Sequence, residues 1–306
     1  MKLKIAVTIQ TFVIVGLIAI VGWLVYSQIP ETEPASLNVV DGQIVTEGSE
    51  DDNYATSGEK IYLDMGGMGE MWLPVLADVP ACTRLPEQHI TRNGQVYYTE
   101  NGEITSVLGI DVSSYQESID WQQVKEAGID FAFIRCAYRG YESGKLVEDP
   151  KFHENMQGAI NAGIKVGVYF YSQATTAEEA REEAEMTLSM IDGYELTYPV
   201  VYDWETVTDD AARTDGISVD TLTACNLAFC ERVKEAGYTP MIYQNKRTSL
   251  LKLDLPALKD YDFWLAEYTD QATYYYDYRI WQYCSDGQVP GISGVVDMNI
   301  CFEPYA

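Results

Sequence analysis

The chain has 306 residues and is 47% hydrophobic, enough for one large domain with an appendage or for two medium domains. Its formal net charge of −27 comes from 47 acidic and 20 basic residues; this excludes nucleic-acid binding, which needs a basic face to neutralise phosphates, and opposes passive adsorption to anionic lipid or wall polymers. There are only two histidines, His89 and His153, and no C-x-x-C, so neither a zinc site nor a histidine-based triad has support and no metal or other cofactor is expected.

The N-terminus places Lys2 and Lys4 ahead of an apolar stretch. Ile5 to Tyr26 is a run of 22 uncharged residues, against the roughly 20 needed to span a bilayer. Bases precede it and acids follow it, which puts the body of the chain outside the cytoplasm. The length of residues 1–26 favours an uncleaved transmembrane anchor. A signal peptide cleaved before Gln28, with Val25 and Ser27 at the cleavage site, is the alternative. Either way the remainder is extracytoplasmic, tethered by one N-terminal helix or secreted. Residues 27–59, with "TEGSEDDNYATSGE", read as an acidic, disordered linker. Residues 60–105 carry short apolar runs and two turn signals, Asn93-Gly94 and Asn101-Gly102. They read as a small β-hairpin element that packs on the main domain or extends a stalk.

Residues 106–306 repeat a pattern of helix, Ala-Gly, strand. It occurs in "WQQVKEAGIDFAFIRCAY", "HENMQGAINAGIKVGVYFYS" and "NLAFCERVKEAGYTPMIYQ". Gly128, Gly163 and Gly237 stand where a helix C-terminus needs a left-handed residue. The strands that follow are near-continuous apolar runs, as expected of parallel strands buried on both faces. Further strands are predicted at Val107–Val112, Pro199–Trp204, Asp262–Ala266, Arg279–Tyr283 and Val295–Ile300. Helices between the last three are short or missing. The fold expected is α/β: an irregular (β/α) barrel of about eight strands with reduced helices at its C-terminal end, preceded by the anchor and a small β-rich stalk. A doubly wound open sheet is the alternative. It normally carries a Gly-rich phosphate turn after its first strand, and "GIDVSSYQ" has none.

Ligand chemistry in such a barrel sits at the C-terminal ends of the strands, and several acids fall there. Asp111 ends the first strand, Asp203 and Glu205 end the fourth in "YPVVYDWE", Glu267 closes "FWLAEY", and Asp297 lies in "VVDMN". Residues two apart on a strand share a face. Asp203 and Glu205 therefore both point into the mouth, where burial and mutual repulsion raise the pKa of one of them. A protonated acid beside an ionised one is the pair glycoside hydrolysis requires. Aromatic residues suit a glycan too, since flat rings stack on sugar faces. Trp281, Gln282 and Tyr283 beside the late strands are candidates, whereas Phe133, Phe170 and Phe229 read as core.

The segments "GIDVSSYQ", "DFAFIRCAYRG", "VGVYFYS", "YPVVYDWE", "WLAEY", "IWQY" and "VDMN" occur in this order from about Leu108 to Phe302. In this set the chain resembles the glycoside hydrolase family 25 lysozymes, N-acetylmuramidases of the Chalaropsis type. The resemblance implies an irregular (β/α) barrel that cleaves the β-1,4 bond between N-acetylmuramic acid and N-acetylglucosamine, with peptidoglycan glycan strands as partner and a monomeric state. It implies that Glu205 is the general acid and that Asp203 assists the 2-acetamido group or acts as nucleophile. Asp111 and Asp297 hold the site electrostatically and bind sugar, and Tyr169 hydrogen-bonds the acetamido group. Tyr243, Trp264, Tyr268, Trp281 and Gln282 line the cleft. No appended wall-binding module is recognisable, and residues 27–105 match none.

Two rival readings share part of this pattern. A family 18 chitinase-like glycosidase also ends its fourth strand in D-x-E, but its D-x-x-D-x-D-x-E pattern needs Asp where this chain has Tyr198 and Val201. A non-catalytic glycan-binding barrel usually loses its acid, whereas the set here is complete. Export permits disulfides among Cys82, Cys136, Cys225, Cys230, Cys284 and Cys301. Cys284 and Cys301, near the ends of two successive predicted strands, are the pair expected. Cys225 and Cys230 face different sides of one helix.

Overall fold

A computed structural model describes residues 38–40, 43–45, 56–65, 69–208 and 211–305. The apolar segment 1–26 and most of the acidic linker lie outside the described residues. Among the described residues no helix is long and apolar enough to cross a membrane. The chain divides into Met1–Asn53 and Tyr54–Ala306. In the first unit, β1 (Asn38–Val40) and β2 (Gln43–Val45) form an antiparallel pair.

The second unit begins with β3 (Thr56–Asp64) and β4 (Glu70–Leu76), an antiparallel pair. β3 starts inside the stretch read as linker. β5 (His89–Arg92), β6 (Gln95–Glu100) and β7 (Glu103–Ile104) form a three-stranded antiparallel sheet. Both Asn-Gly pairs sit at its turns with positive φ, at 53° and 80° for Asn93-Gly94 and 51° and 83° for Asn101-Gly102. Two positive φ values are what a tight hairpin turn demands.

The barrel follows: β8 (Val107–Val112), α1 (Trp121–Glu126), β9 (Phe131–Arg139), β10 (Leu146–Glu148), α2 (Phe152–Asn161), β11 (Lys165–Ser172), α3 (Ala177–Ile191), β12 (Val200–Trp204), α4 (Val219–Glu235), β13 (Pro240–Asn245), α5 (Lys246–Lys252), α6 (Leu255–Leu258), β14 (Asp262–Ala266), β15 (Ile280–Gly287) and β16 (Val296–Cys301). Capping fixes the helix starts. Thr176 accepts from the Glu179 amide and Ser218 from the Thr221 amide, with acidic residues in both first turns. Gly128, Gly163 and Gly237 take positive φ just past α1, α2 and α4, as the pattern predicts.

Eight strands close the barrel in the order β8-β9-β11-β12-β13-β14-β15-β16, and β16 pairs back onto β8. Closure rules out the open doubly wound sheet. The irregularity lies in direction as well as in missing helices. β16 runs antiparallel to both β15 and β8, so only the first seven strands are parallel. That direction separates the expected disulfide pair. Cys301 lies opposite Ile280 at one end of the β15–β16 ladder and Cys284 opposite Met298 toward the other, and both are free thiols.

Where β14 to β16 lack helices, the strands of residues 56–105 cover the barrel. His89 sits edge-on to Trp281 at 5.4 Å, and Tyr98 edge-on to Phe302 at 5.2 Å. Arg84 lies over Phe302 at 4.3 Å and pairs with Asp277 at 2.6 Å. Trp281 and Tyr283 on the outer face of β15 are buried.

Inside the barrel, aromatic rings fill the lower layers. Phe131 stacks on Tyr198 at 4.4 Å, and Phe133 on Trp264 at 4.5 Å. Such a filled interior leaves the bottom closed. It also explains the glycine before the first acid: a Cβ on Gly109 would lie 2.2 Å from the Phe131 ring. Gly109→Ala is therefore expected to destabilise the chain by about 1–3 kcal/mol through overpacking. Urea denaturation checks this, and an unchanged midpoint would contradict the packing.

Candidate active site

The polar layer lies directly above that aromatic floor. Strand alternation sends Val201 and Asp203 of β12 inward and Val200, Tyr202 and Trp204 outward into the helix layer. The same alternation turns Asp111 inward from β8, Tyr243 from β13 and Gln282 from β15. Asp297 arrives differently. Because β16 is antiparallel, its N-terminal end reaches the mouth, and Asp297 lies directly opposite Asp111 in the ladder. The expectation that Asp297 belongs to a strand's C-terminal end is corrected on this point: Asp297 reaches the mouth from the N-terminal end of a reversed strand. These groups border a cleft of about 860 Å³.

Asp111 is the most solvated by protein donors. Its Oδ2 accepts from Gln282 Nε2 at 2.9 Å and from Asn299 Nδ2 at 2.8 Å. Each amide is oriented in turn. Trp264 Nε1 donates to Asn299 Oδ1 at 2.8 Å. Tyr243 and Tyr268 hydroxyls donate to Gln282 Oε1 at 2.9 and 2.8 Å. Asp203 stands in contrast: it is 5% exposed, and its Oδ1 is buried without a hydrogen-bond partner.

These environments separate the acids. Burial pushes Asp111 up to about 6, opposed by its two amide donors. Burial, then the Asp111 charge, pushes Glu205 up to about 7. Burial, then Asp111 and Glu205, pushes Asp297 up to about 8. Asp203 is held well above the usual carboxylate range, first by burial and then by Glu205 and Asp111. Four carboxyls in one low-dielectric mouth cannot all ionise near neutral pH. Charge settles first on Asp111, where donors receive it, leaving Glu205 able to hold a proton. Arg135 on β9 opposes the crowding at Asp203 and is itself anchored by Asp149 at 2.8 Å.

Of the residues singled out from sequence, Asp111, Tyr169, Asp203, Glu205, Tyr243, Trp264, Tyr268, Gln282 and Asp297 all line the cleft. Trp281 does not. With Gln282 facing in, its neighbours on β15 must face out, and Trp281 packs under His89 with its Nε1 donating to the Glu267 carbonyl at 2.8 Å. Glu267 holds a loop, accepting from the Thr273 and Tyr274 amides at 2.7 and 3.2 Å. Asn299 was missed, although its place two residues after Asp297 on one strand is the signal that finds it. Arg135, Tyr171 and Tyr138 were also missed. So was Tyr115, 81% exposed at the rim; nothing local marks it, since a short 3-10 turn after β8 brings it there. Among the described residues no group of three or more His, Cys, Asp or Glu is arranged to hold a metal ion.

Comparison with known proteins bears on this site. The profile of Glycosyl hydrolases family 25 matches residues 110–292. The autolytic lysozyme of Clostridium acetobutylicum is 30% identical over 193 residues, which cover 62% of this chain and 54% of that protein. The modular autolysin LytC from Streptococcus pneumoniae superposes with a TM-score of 0.57 at 26% identity, covering 79% of this chain and 57% of that one. A second structure of that autolysin holds a synthetic peptidoglycan ligand. The bacterial lysozyme from Streptomyces coelicolor gives a TM-score of 0.51 at 28% identity, covering 63% of this chain and 90% of that one. The chain thus spans about half the length of the first two relatives.

The carboxyl shifts carry a stability signature. Glu205 binds its proton more tightly in the folded chain, so the folded state holds extra proton between the ordinary value of 4.5 and about 7. Stability therefore falls as pH rises through that window. Glu205→Gln is expected to be more stable than the parent at mildly alkaline pH by about 1–3 kcal/mol, with the gain vanishing in acid. Urea denaturation of both proteins at the two pH values checks this. Equal stability at both would contradict a crowded, half-buried Glu205.

Proposed function

The chain belongs to Glycosyl hydrolases family 25, and from that premise we propose that it is an exported peptidoglycan hydrolase cleaving the β-1,4 bond between N-acetylmuramic acid and N-acetylglucosamine. One observation carries the proposal: a half-buried Glu205, its pKa pushed up to about 7, beside three further carboxyls at the mouth of an aromatic-floored cleft. Glu205 donates its proton to the glycosidic oxygen as the bond to the anomeric carbon breaks. The oxygen of the substrate's own 2-acetamido group attacks that carbon, and Asp203 accepts the acetamide N–H. The unpartnered Asp203 Oδ1 favours this role, because it is an acceptor awaiting a donor. Glu205, now a carboxylate, takes a proton from the water that opens the cyclic intermediate. The charge of Asp111 stabilises the positive charge developing on the sugar ring, and Asp297 beside it binds sugar. Tyr169 hydrogen-bonds the acetamido group, and the half-exposed Tyr268, with Tyr243 and Gln282, lines the sugar path.

The substrate rests on the family and on the two relatives named as a lysozyme and an autolysin. Export rests on the apolar N-terminal segment of the sequence, with anchoring and cleavage both compatible with it.

Purified protein is expected to release reducing ends from peptidoglycan, and mass spectrometry to find them on N-acetylmuramic acid. Glu205→Gln should lower the rate by about 10²–10⁴-fold. Because the acid must be protonated, the rate should fall as pH rises through about 7. New reducing ends on N-acetylglucosamine would refute the bond assignment, and a fully active Glu205→Gln would refute the acid.

A further inference from the structure

Glu205 is the first residue beyond β12. The ladder ends at Trp204 opposite Ser172 on one side and at Asp203 opposite Tyr243 on the other, so no strand pairing holds the proposed acid. What holds it is Gln173, the residue after β11. Gln173 is fully buried, and its Nε2 donates to the Glu205 carbonyl at 2.8 Å. Its Oε1 accepts from Thr214 Oγ1 at 2.7 Å, and Thr214 is also buried. Its own carbonyl accepts from Arg213 Nη1 at 3.2 Å. Arg213 grips Glu179 of α3 through both nitrogens, at 2.9 and 2.7 Å, and its amide donates to the Tyr141 carbonyl at 2.9 Å. Tyr141, beyond β9, lines the cleft.

We infer that Gln173, clamped by Thr214, is the positioning residue for Glu205, and that the Gln173–Thr214–Arg213 strap ties the acid's backbone to α3 and to the cleft-lining segment beyond β9. Gln173 is absent from the cleft lining, so it acts through Glu205 and not on substrate. The chemistry favours an amide here. A primary amide can donate to a carbonyl and accept from a hydroxyl at once, whereas a carboxylate in its place would set charge beside an already crowded cluster. Six ionisable groups interact with Glu205: the acids Asp111, Asp203 and Asp297 and the phenols Tyr171, Tyr243 and Tyr268. Its height and tilt among them decide both proton affinity and reach.

The inference rests on the proposed role of Glu205, so its test needs one readout that requires no cleavage. In the full chain, the Glu205 carboxyl can be titrated by carbon-13 NMR, assigned by its loss in Glu205→Gln. Gln173→Ala should let Glu205 move toward water and lower its titration midpoint. The same variant should lower kcat on a soluble peptidoglycan fragment by about 10–100-fold, with KM changed less than about twofold. Thr214→Val should shift both readouts the same way, and Thr214→Ser should restore them, which a general packing defect would not do. If Gln173→Ala fails to fold, the Thr214 pair decides. An unmoved Glu205 midpoint and unchanged kcat in folded variants would overturn the strap. If the parent protein cleaves no glycan but the midpoint still moves, the strap stands and the proposed reaction falls.

Discussion

Four carboxyl groups share one buried mouth, and the rest of the second unit is arranged around that repulsion. Asp111 and Asp297 face each other across a strand pair, and Asp203 and Glu205 enter from the opposite side of the barrel. In water such groups would ionise independently. In a cavity floored by Phe133 and Trp264 they compete for a small number of charges. Protein donors concentrate on Asp111, so the cluster differentiates into a site that accepts charge and a site that keeps a proton. The same crowding costs stability, which is the usual condition of a buried reactive group.

The scaffold serves this arrangement in two ways. The antiparallel β16 closes the ring and brings Asp297 and Asn299 to the mouth and against Asp111. Seven parallel strands followed by a parallel eighth would have placed that strand's other end there. The sheet built from residues 89–104 then shields the side where β14 to β16 carry no helix among the described residues, burying Trp281 and Phe302 behind the site. Gln173 and Thr214 complete the arrangement by holding the one acid that lies outside any strand.

Much of this was legible in the sequence, because period-two alternation and Ala-Gly punctuation are local. The strands at Val107–Val112 and Asp262–Ala266 have the predicted bounds, and inward Asp203 follows from alternation along β12, whereas Glu205 lies one residue past that strand. What failed was non-local. Strand direction is not written in an apolar run, so the Cys284–Cys301 pairing and the reason for Asp297 were misjudged. Trp281 was placed in the cleft by its site beside the late strands and by the family resemblance, although alternation with Gln282 already excludes one of the two. Gln173 and Tyr115 left no signal, since their meaning depends on loops meeting from distant parts of the chain.

The central claim is that charge in the cluster settles first on Asp111, and that Glu205 is among the carboxyls that still hold a proton as pH approaches neutrality. Infrared difference spectroscopy, parent minus Glu205→Gln, reads it directly through the carbonyl stretch of a protonated carboxyl. The account predicts such a band slightly below neutral pH, lost in the variant and bleached as pH rises through about 7. Spectra with only carboxylate bands at that pH, the same in parent and variant, would contradict it.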